Sequence, residues 1–154
     1  GPYTPRGYDA APEANTTSFE DGGWYASGDI VERRPDGNLI VQGRDKDMIN
    51  RGGEKVSAEE IESLVYQIPG LSIMAAVSMP DPVLGEKVCL YAEMAGGKPL
   101  TLEQVQAHLK TAGVAAYKIP EKVVVVDQIP TTKVGKIDKK ALRADIAERI
   151  QLEV

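Results

Sequence analysis

The sequence predicts an α+β fold, a small sheet with packed helices, preceded by a separate β-hairpin. Three observations carry this. Helix-start patterns with apolar residues at i, i+3, i+4 and i+7 alternate with apolar runs of strand length. Near the start, the turn signal Pro35-Asp36-Gly37 separates two strand-forming runs. Between these regions lies Gly43 to Val56, GRDKDMINRGGEKV, where clustered charge and a Gly-Gly pair suit bending rather than a packed core. The parts divide as residues 1–44 and 45–154, at about Arg44 to Asp47, and no internal repeat is present.

Residues 1 to about 22 are rich in Gly, Pro, Asn, Thr and acids, which predicts loop with at most one short helical turn. Ile30 to Glu32 and Asn38 to Gln42 then form the hairpin, with Trp24 and Tyr25 as its packing residues. Ser57-Ala58-Glu59-Glu60 is a capping box that opens a helix with Ile61, Leu64, Val65 and Ile68 on one face, stopped by Pro69-Gly70. Ser72 to Met79 and Lys87 to Met94 read as strands, separated by a turn at Pro80-Asp81-Pro82 and Gly85. Thr101-Leu102-Glu103-Gln104 repeats the capping box, with Leu102, Val105 and Leu109 on one face and Gly113 as the stop. Lys122 to Asp127, with four consecutive valines, is a third strand, and Asp138 caps a last helix carrying Leu142, Ile146 and Ile150.

At 154 residues the chain is long enough for one core and a small second unit. Hydrophobic residues at 42% and charged residues at 27% are ordinary for a soluble globular protein. No apolar run approaches the roughly 18 residues of a membrane span and no signal peptide opens the chain, so no membrane partner and a cytoplasmic location are expected. The net charge of −5 argues against a broad nucleic-acid surface. Cys89, the one cysteine, excludes an internal disulfide, and its apolar neighbours favour a strand-filling residue over a catalytic thiol. His108 has no second histidine to share a metal, so no metal site is expected. Gly1-Pro2-Tyr3-Thr4 begins without methionine and reads like a loop inside a longer protein, so the chain is expected to be a piece.

Five positions could carry chemistry, each with a structural alternative. Asp29, in YASGD, could accept hydrogen bonds from two neighbouring sugar hydroxyls, or stabilise a turn. Arg44 offers a fixed fork of donors, or a surface ion pair with Asp45 or Asp47. Lys46, between two acids, suits a solvated point of bending. Gly52-Gly53 either turns a hairpin between Met48-Ile49-Asn50 and Glu54-Lys55-Val56 or admits a ligand close to backbone, and both can hold. In Pro130-Thr131-Thr132-Lys133-Val134-Gly135-Lys136-Ile137-Asp138, Lys136 sits on a Gly-flanked loop that is either functional or merely basic, alongside Lys133, Lys139 and Lys140. A Walker loop is absent.

GPYTPRGYD, YASGD, the hinge-like GRDKD and the PxTxxGK-like PTTKVGK follow one another as motifs of the adenylate-forming superfamily do, and the chain resembles that superfamily. Its members activate a carboxylic acid with ATP and pass the acyl group to a thiol. INRGGEKV, AAYKIPEKV and VGKIDKKALR look most like the enzymes that adenylate 2,3-dihydroxybenzoate or salicylate and load an aryl carrier protein in siderophore biosynthesis. An acyl-CoA synthetase domain or a non-catalytic carrier-docking module is the alternative. The resemblance implies that residues 1–44 end a large N-terminal domain and that 45–154 form a mobile C-terminal lid. It implies Lys136 as the catalytic ammonium, Asp29 and Arg44 on the ATP ribose, Lys46 as the hinge, and Gly52 and Gly53 along the pantetheine path. The cofactor it implies is ATP with Mg2+, whose phosphates would bind mostly on the N-terminal domain. The partners it implies are that domain and a phosphopantetheine-bearing aryl carrier protein, or CoA, and no nucleic acid is expected. Carrier helices would meet Arg51, Lys55 or Lys118. The family's Ser/Thr/Gly-rich phosphate loop and its acid-selecting pocket are missing from this sequence, so the chain alone is expected to be inactive or nearly so.

Overall fold

The structure, a computed structural model, describes residues 3–96 and 98–152. The chain divides into two compact units, Gly1–Lys46 and Asp47–Val154.

In the first unit, residues expected as loop form a two-turn helix, α1 (Pro12–Ser18), followed by a two-residue ladder between β1 (Phe19–Glu20) and β2 (Trp24–Tyr25). Pro12 at the helix start needs no amide partner, and the Thr16 and Thr17 hydroxyls bond back to the Pro12 and Glu13 carbonyls. Successive strand residues face opposite sides, so only one member of the Trp24-Tyr25 pair can pack inward. Tyr25 does so, its ring 5.3 Å from that of Phe19 and its hydroxyl 2.8 Å from that of Tyr8. Trp24 is 74% exposed, which corrects its reading as a packing residue. The predicted hairpin is β3 (Asp29–Arg33) against β4 (Leu39–Arg44), with a bulge between Ile30 and Val31.

The second unit is a five-stranded sheet between helices. β5 (Met48–Arg51) and β6 (Glu54–Ser57) form a hairpin, followed by α2 (Ala58–Val65). The long antiparallel pair β7 (Leu71–Asp81) and β8 (Gly85–Met94) precedes α3 (Leu102–Thr111). β9 (Lys122–Val126) then lies parallel to β8, and α4 (Lys139–Leu152) closes the chain. The strand order is β6-β5-β8-β7, with β9 also on β8. Alternate residues of β7 and β8 feed two cores. Met74, Ala76, Val88 and Leu90 meet Ile61 and Val65 of α2 and Val105 and Leu109 of α3. Ala75, Val77, Cys89 and Tyr91 meet Leu142 and Ile146 of α4. Burial on both faces explains why these strands read as continuous apolar runs instead of alternating ones.

The helix starts follow the sequence. The Ser57 hydroxyl accepts from the Glu60 amide at 3.2 Å, Thr101 and Gln104 form a reciprocal capping box, and the Asp138 carboxylate accepts from the Ala141 amide at 3.0 Å. Such a cap contributes about 1 kcal/mol.

Pro80 departs from the sequence reading, because β7 runs through it instead of turning there. The Ala76 amide points away from β8, to the Glu62 carboxylate at 2.8 Å. Pro80 has the same parity, so its missing N–H falls on that outer edge and costs no ladder bond. The turn follows at Asp81, whose Oδ1 accepts from the Val83 and Leu84 amides.

The Lys87 ammonium, together with the Leu84 and Val83 amides, holds the Asp81 carboxyl down at about 2, below its ordinary 3.8. Between these values the unfolded chain binds more protons, so Asp81 adds stability above about pH 4 that is lost as pH falls through 2. Asp81→Asn is therefore expected to flatten the acid limb of the urea midpoint between pH 5 and 2. An unchanged slope would show that Asp81 is not a source of acid sensitivity.

Candidate functional site

In the first unit, Asp29 and Arg44 are direct partners across the β3–β4 ladder. Their side chains meet at 3.4 Å, and Arg44 also donates to the Ser27 carbonyl at 2.6 Å. The ion pair of Arg44 is thus with Asp29, where its structural alternative named Asp45 or Asp47. The side chains of Arg44 and Asp29 remain 50% and 39% exposed, so the pair adds at most about 1 kcal/mol of stability. It presents an acceptor and a donor fork side by side to whatever approaches that hairpin end.

Lys46 occupies a 3-10 turn, Asp45–Asp47. The Asp45 amide bonds to the Gly28 carbonyl at 2.9 Å, within the first unit. The Asp47 carboxylate bonds to Arg143 of α4 at 2.6 Å, within the second. Lys46 is the residue between these two anchors.

Gly52 and Gly53 are the central pair of the β5–β6 turn, with φ of +60° and +97°. Two positive values match a type I′ hairpin, which L side chains resist. The turn is braced by three contacts. The Gly52 amide donates to the Leu84 carbonyl at 2.8 Å, and the Asn50 amide to Glu86 at 2.7 Å. Arg51 pairs with Glu121 at 2.6 Å. A Cβ on Gly52 would come within 3.1 Å of Leu84, whereas one on Gly53 would meet nothing within 4 Å.

Lys136 stands exposed on a loop that closes on itself. Thr131 and Ile137 form an isolated bridge, the Thr132 amide donates to the Lys136 carbonyl at 2.7 Å, and the Asp138 amide donates to the Pro130 carbonyl at 2.8 Å. Gly135, at φ +78°, makes the tight turn within it. Of the neighbouring lysines, Lys139 is committed to Glu62 of α2 at 2.7 Å, which separates a structural lysine from Lys136.

Residues 60–136 match the family described as the AMP-binding enzyme C-terminal domain. The chain belongs to that family. A Streptomyces protein named salicylyl-CoA synthase / salicylate adenylyltransferase is 57% identical over 143 residues, covering 93% of this chain and 26% of its own length. The 2,3-dihydroxybenzoate-AMP ligase of Bacillus subtilis (strain 168) is 49% identical over 150 residues, 97% of this chain and 28% of its own. Among solved structures, ATP-bound MatB from Rhodopseudomonas palustris matches with a TM-score of 0.78 at 31% identity, covering 91% of this chain and 28% of that one. The chain spans about a quarter of the length of these relatives.

Within this AMP-binding C-terminal domain several polar groups are structural. Cys89 is fully buried, and burial pushes its thiol up to about 12, so it stays protonated at neutral pH. The His108 ring bonds to the Leu64 carbonyl at 3.0 Å. Among the described residues no three His, Cys, Asp or Glu side chains gather as a metal site, and no helix is long and apolar enough to cross a membrane. Two of the three basic residues expected to meet a carrier are internally paired, Arg51 with Glu121 and Lys118 with Glu60, while Lys55 is exposed. Glu121 and Arg143 had no signal in the sequence, because their partners lie 70 and 96 residues away.

Proposed function

We propose that the chain is the C-terminal part of an aryl-acid ligase that activates salicylate or 2,3-dihydroxybenzoate with ATP and passes the aryl group to a phosphopantetheine thiol. The observation that carries this reading is Lys136, exposed on a loop closed by backbone hydrogen bonds while Lys139 is tied to Glu62. In adenylation the acid's carboxylate oxygen attacks the α-phosphorus of ATP and pyrophosphate leaves. Two anions converge there, and the Lys136 ammonium between them stabilises the transition state. Asp29 accepts from the ribose hydroxyls and Arg44 approaches the same sugar. The large N-terminal domain supplies the phosphate and Mg2+ sites and the pocket for the acid.

In the second half-reaction the thiol sulfur attacks the aryl carbonyl and AMP leaves. Gly52 and Gly53 line the path of the pantetheine arm, and the 45–154 lid reaches this state by rotation about Lys46. The anchoring of Asp45 and Asp47 to different units supports confining the bend to Lys46. The names of the two relatives support both a CoA thioester and an aryl adenylate. Pantetheine, common to CoA and carrier proteins, is the acceptor chemistry of this reading, in the cytoplasm where ATP is available.

The test is ATP–pyrophosphate exchange with salicylate and with 2,3-dihydroxybenzoate, using this chain alone and mixed with the large domain. Exchange is expected only in the mixture. Its absence there, with both parts folded, would overturn the aryl-acid reading.

A further inference from the structure

We propose that Glu121 is a positioning residue of the thioester half-reaction, holding the Gly52-Gly53 turn in register through Arg51; this rests on the aryl-acid ligase reading. The β5–β6 hairpin joins the rest of the sheet through a single ladder pair, Arg51 with Gly85. Beyond this pair and the Gly52–Leu84 backbone bond, the turn's position rests on side chains. Glu121 is built for that task. Its backbone amide donates to the Val88 carbonyl at 3.0 Å, and its Oε2 accepts from the Val88 amide at 2.9 Å. Its Oε1 receives Arg51 Nε at 2.6 Å. One residue therefore grips Val88 of the central strand β8 through both its amide and its carbonyl, and grips the residue immediately before Gly52.

The Arg51 and Glu121 side chains are each about three-quarters covered, at 25% and 24% exposure, so salt and water screen the pair less than a surface bridge. The remaining braces, Leu84 to Gly52 and Glu86 to Asn50, both come from the β7–β8 hairpin. Glu121 alone among these braces reaches the turn from the β9 side, where it immediately precedes Lys122. Without it, the turn is held from one side and can shift by fractions of an ångström. An arm threading past the turn would be displaced with it, whereas adenylation, which uses Lys136, would not register the change.

The experiment uses the complete ligase with Glu121→Gln, Arg51→Gln and Arg51→Lys. Glu121→Gln keeps an acceptor for Val88 and removes the charge that holds Arg51. Thioester formation from preformed aryl-AMP is expected to fall about tenfold in kcat, with pyrophosphate exchange within about twofold of wild type. Arg51→Gln should match it, and Arg51→Lys should recover part of the loss. Deuterium uptake by residues 48–57 should rise in Glu121→Gln. Parallel loss of both half-reactions would assign Glu121 a general structural role and overturn the proposal. Unchanged uptake over 48–57 would overturn it whatever the acid. Failure of wild-type exchange with either aryl acid would instead count against the aryl-acid reading, since the uptake measurement stands without it.

Discussion

Lys136→Ala in the complete ligase is expected to lower adenylation by about 10²–10³-fold and to leave transfer from preformed aryl-AMP within about twofold. The magnitude is that of removing one charge-stabilising group from a transition state built by positioning. The loop should survive the change, because its closure uses the backbone of Thr132, Lys136 and Asp138 and the Thr132 hydroxyl, and none of these is the lysine side chain. Lys139→Ala supplies the contrast. It breaks the bridge to Glu62 between α4 and α2, so it should lower the unfolding midpoint without a comparable loss of adenylation. Pyrophosphate exchange and single-turnover transfer, measured on the same preparations, separate the two. Equal loss in both half-reactions for Lys136→Ala would remove the lysine from its assigned step.

Local signals in the sequence translated into structure with little change. The Ser57 and Thr101 caps, the Asp138 cap and the Pro35-Asp36-Gly37 turn each act within a few residues, so the chain spells them out directly. α1 is weakly signalled because no side chain caps it and it buries no residue, which leaves Pro12 and the acidic Glu13 as its start signals. Pro80 misled for the opposite reason. Its local meaning is a turn, and only its parity on an edge strand makes it compatible with β7.

Long-range pairing was illegible. The parallel contact of β9 with β8 depends on hydrogen bonds between residues more than thirty positions apart, as does the Glu121–Arg51 bridge. The candidate residues themselves were found from motif wording. What the sequence left open was their surroundings: that Arg44 faces Asp29, that Asp47 is held by Arg143, and that Arg51 and Lys118 are already paired.

The glycine turn and the start of the lysine loop are tied to opposite ends of β8. Gly52 leans on Leu84, beside the Gly85 end of β8. β9 leads into the lysine loop from the other end, where the Ile129 amide bonds to Glu93. At roughly 3.3 Å per strand residue, Gly85 and Glu93 are about 26 Å apart. The lysine loop then runs back along the sheet, since Lys139 reaches Glu62, whose carboxylate accepts from the Ala76 amide opposite Leu90.

Gly53 offers the sharpest test of the division of labour between Lys136 and the glycine turn, through a size series. Any L residue there must adopt φ near +97°, which costs about 1–3 kcal/mol whatever its length. Within this unit a Cβ at Gly53 meets nothing within 4 Å, so a side chain there starts into open space. Gly53→Ala and Gly53→Leu should therefore lower the unfolding midpoint by similar amounts. If the turn lines the pantetheine path, they should differ in transfer: about tenfold slower for alanine, and about 10²-fold or more for leucine, with adenylation nearly unchanged in both. Gly52→Leu is the control, because its Cβ would press on Leu84 at 3.1 Å and extra size there should cost stability as well. Transfer rates that follow the loss of stability, and not side-chain size, would mean that the glycines serve the hairpin alone.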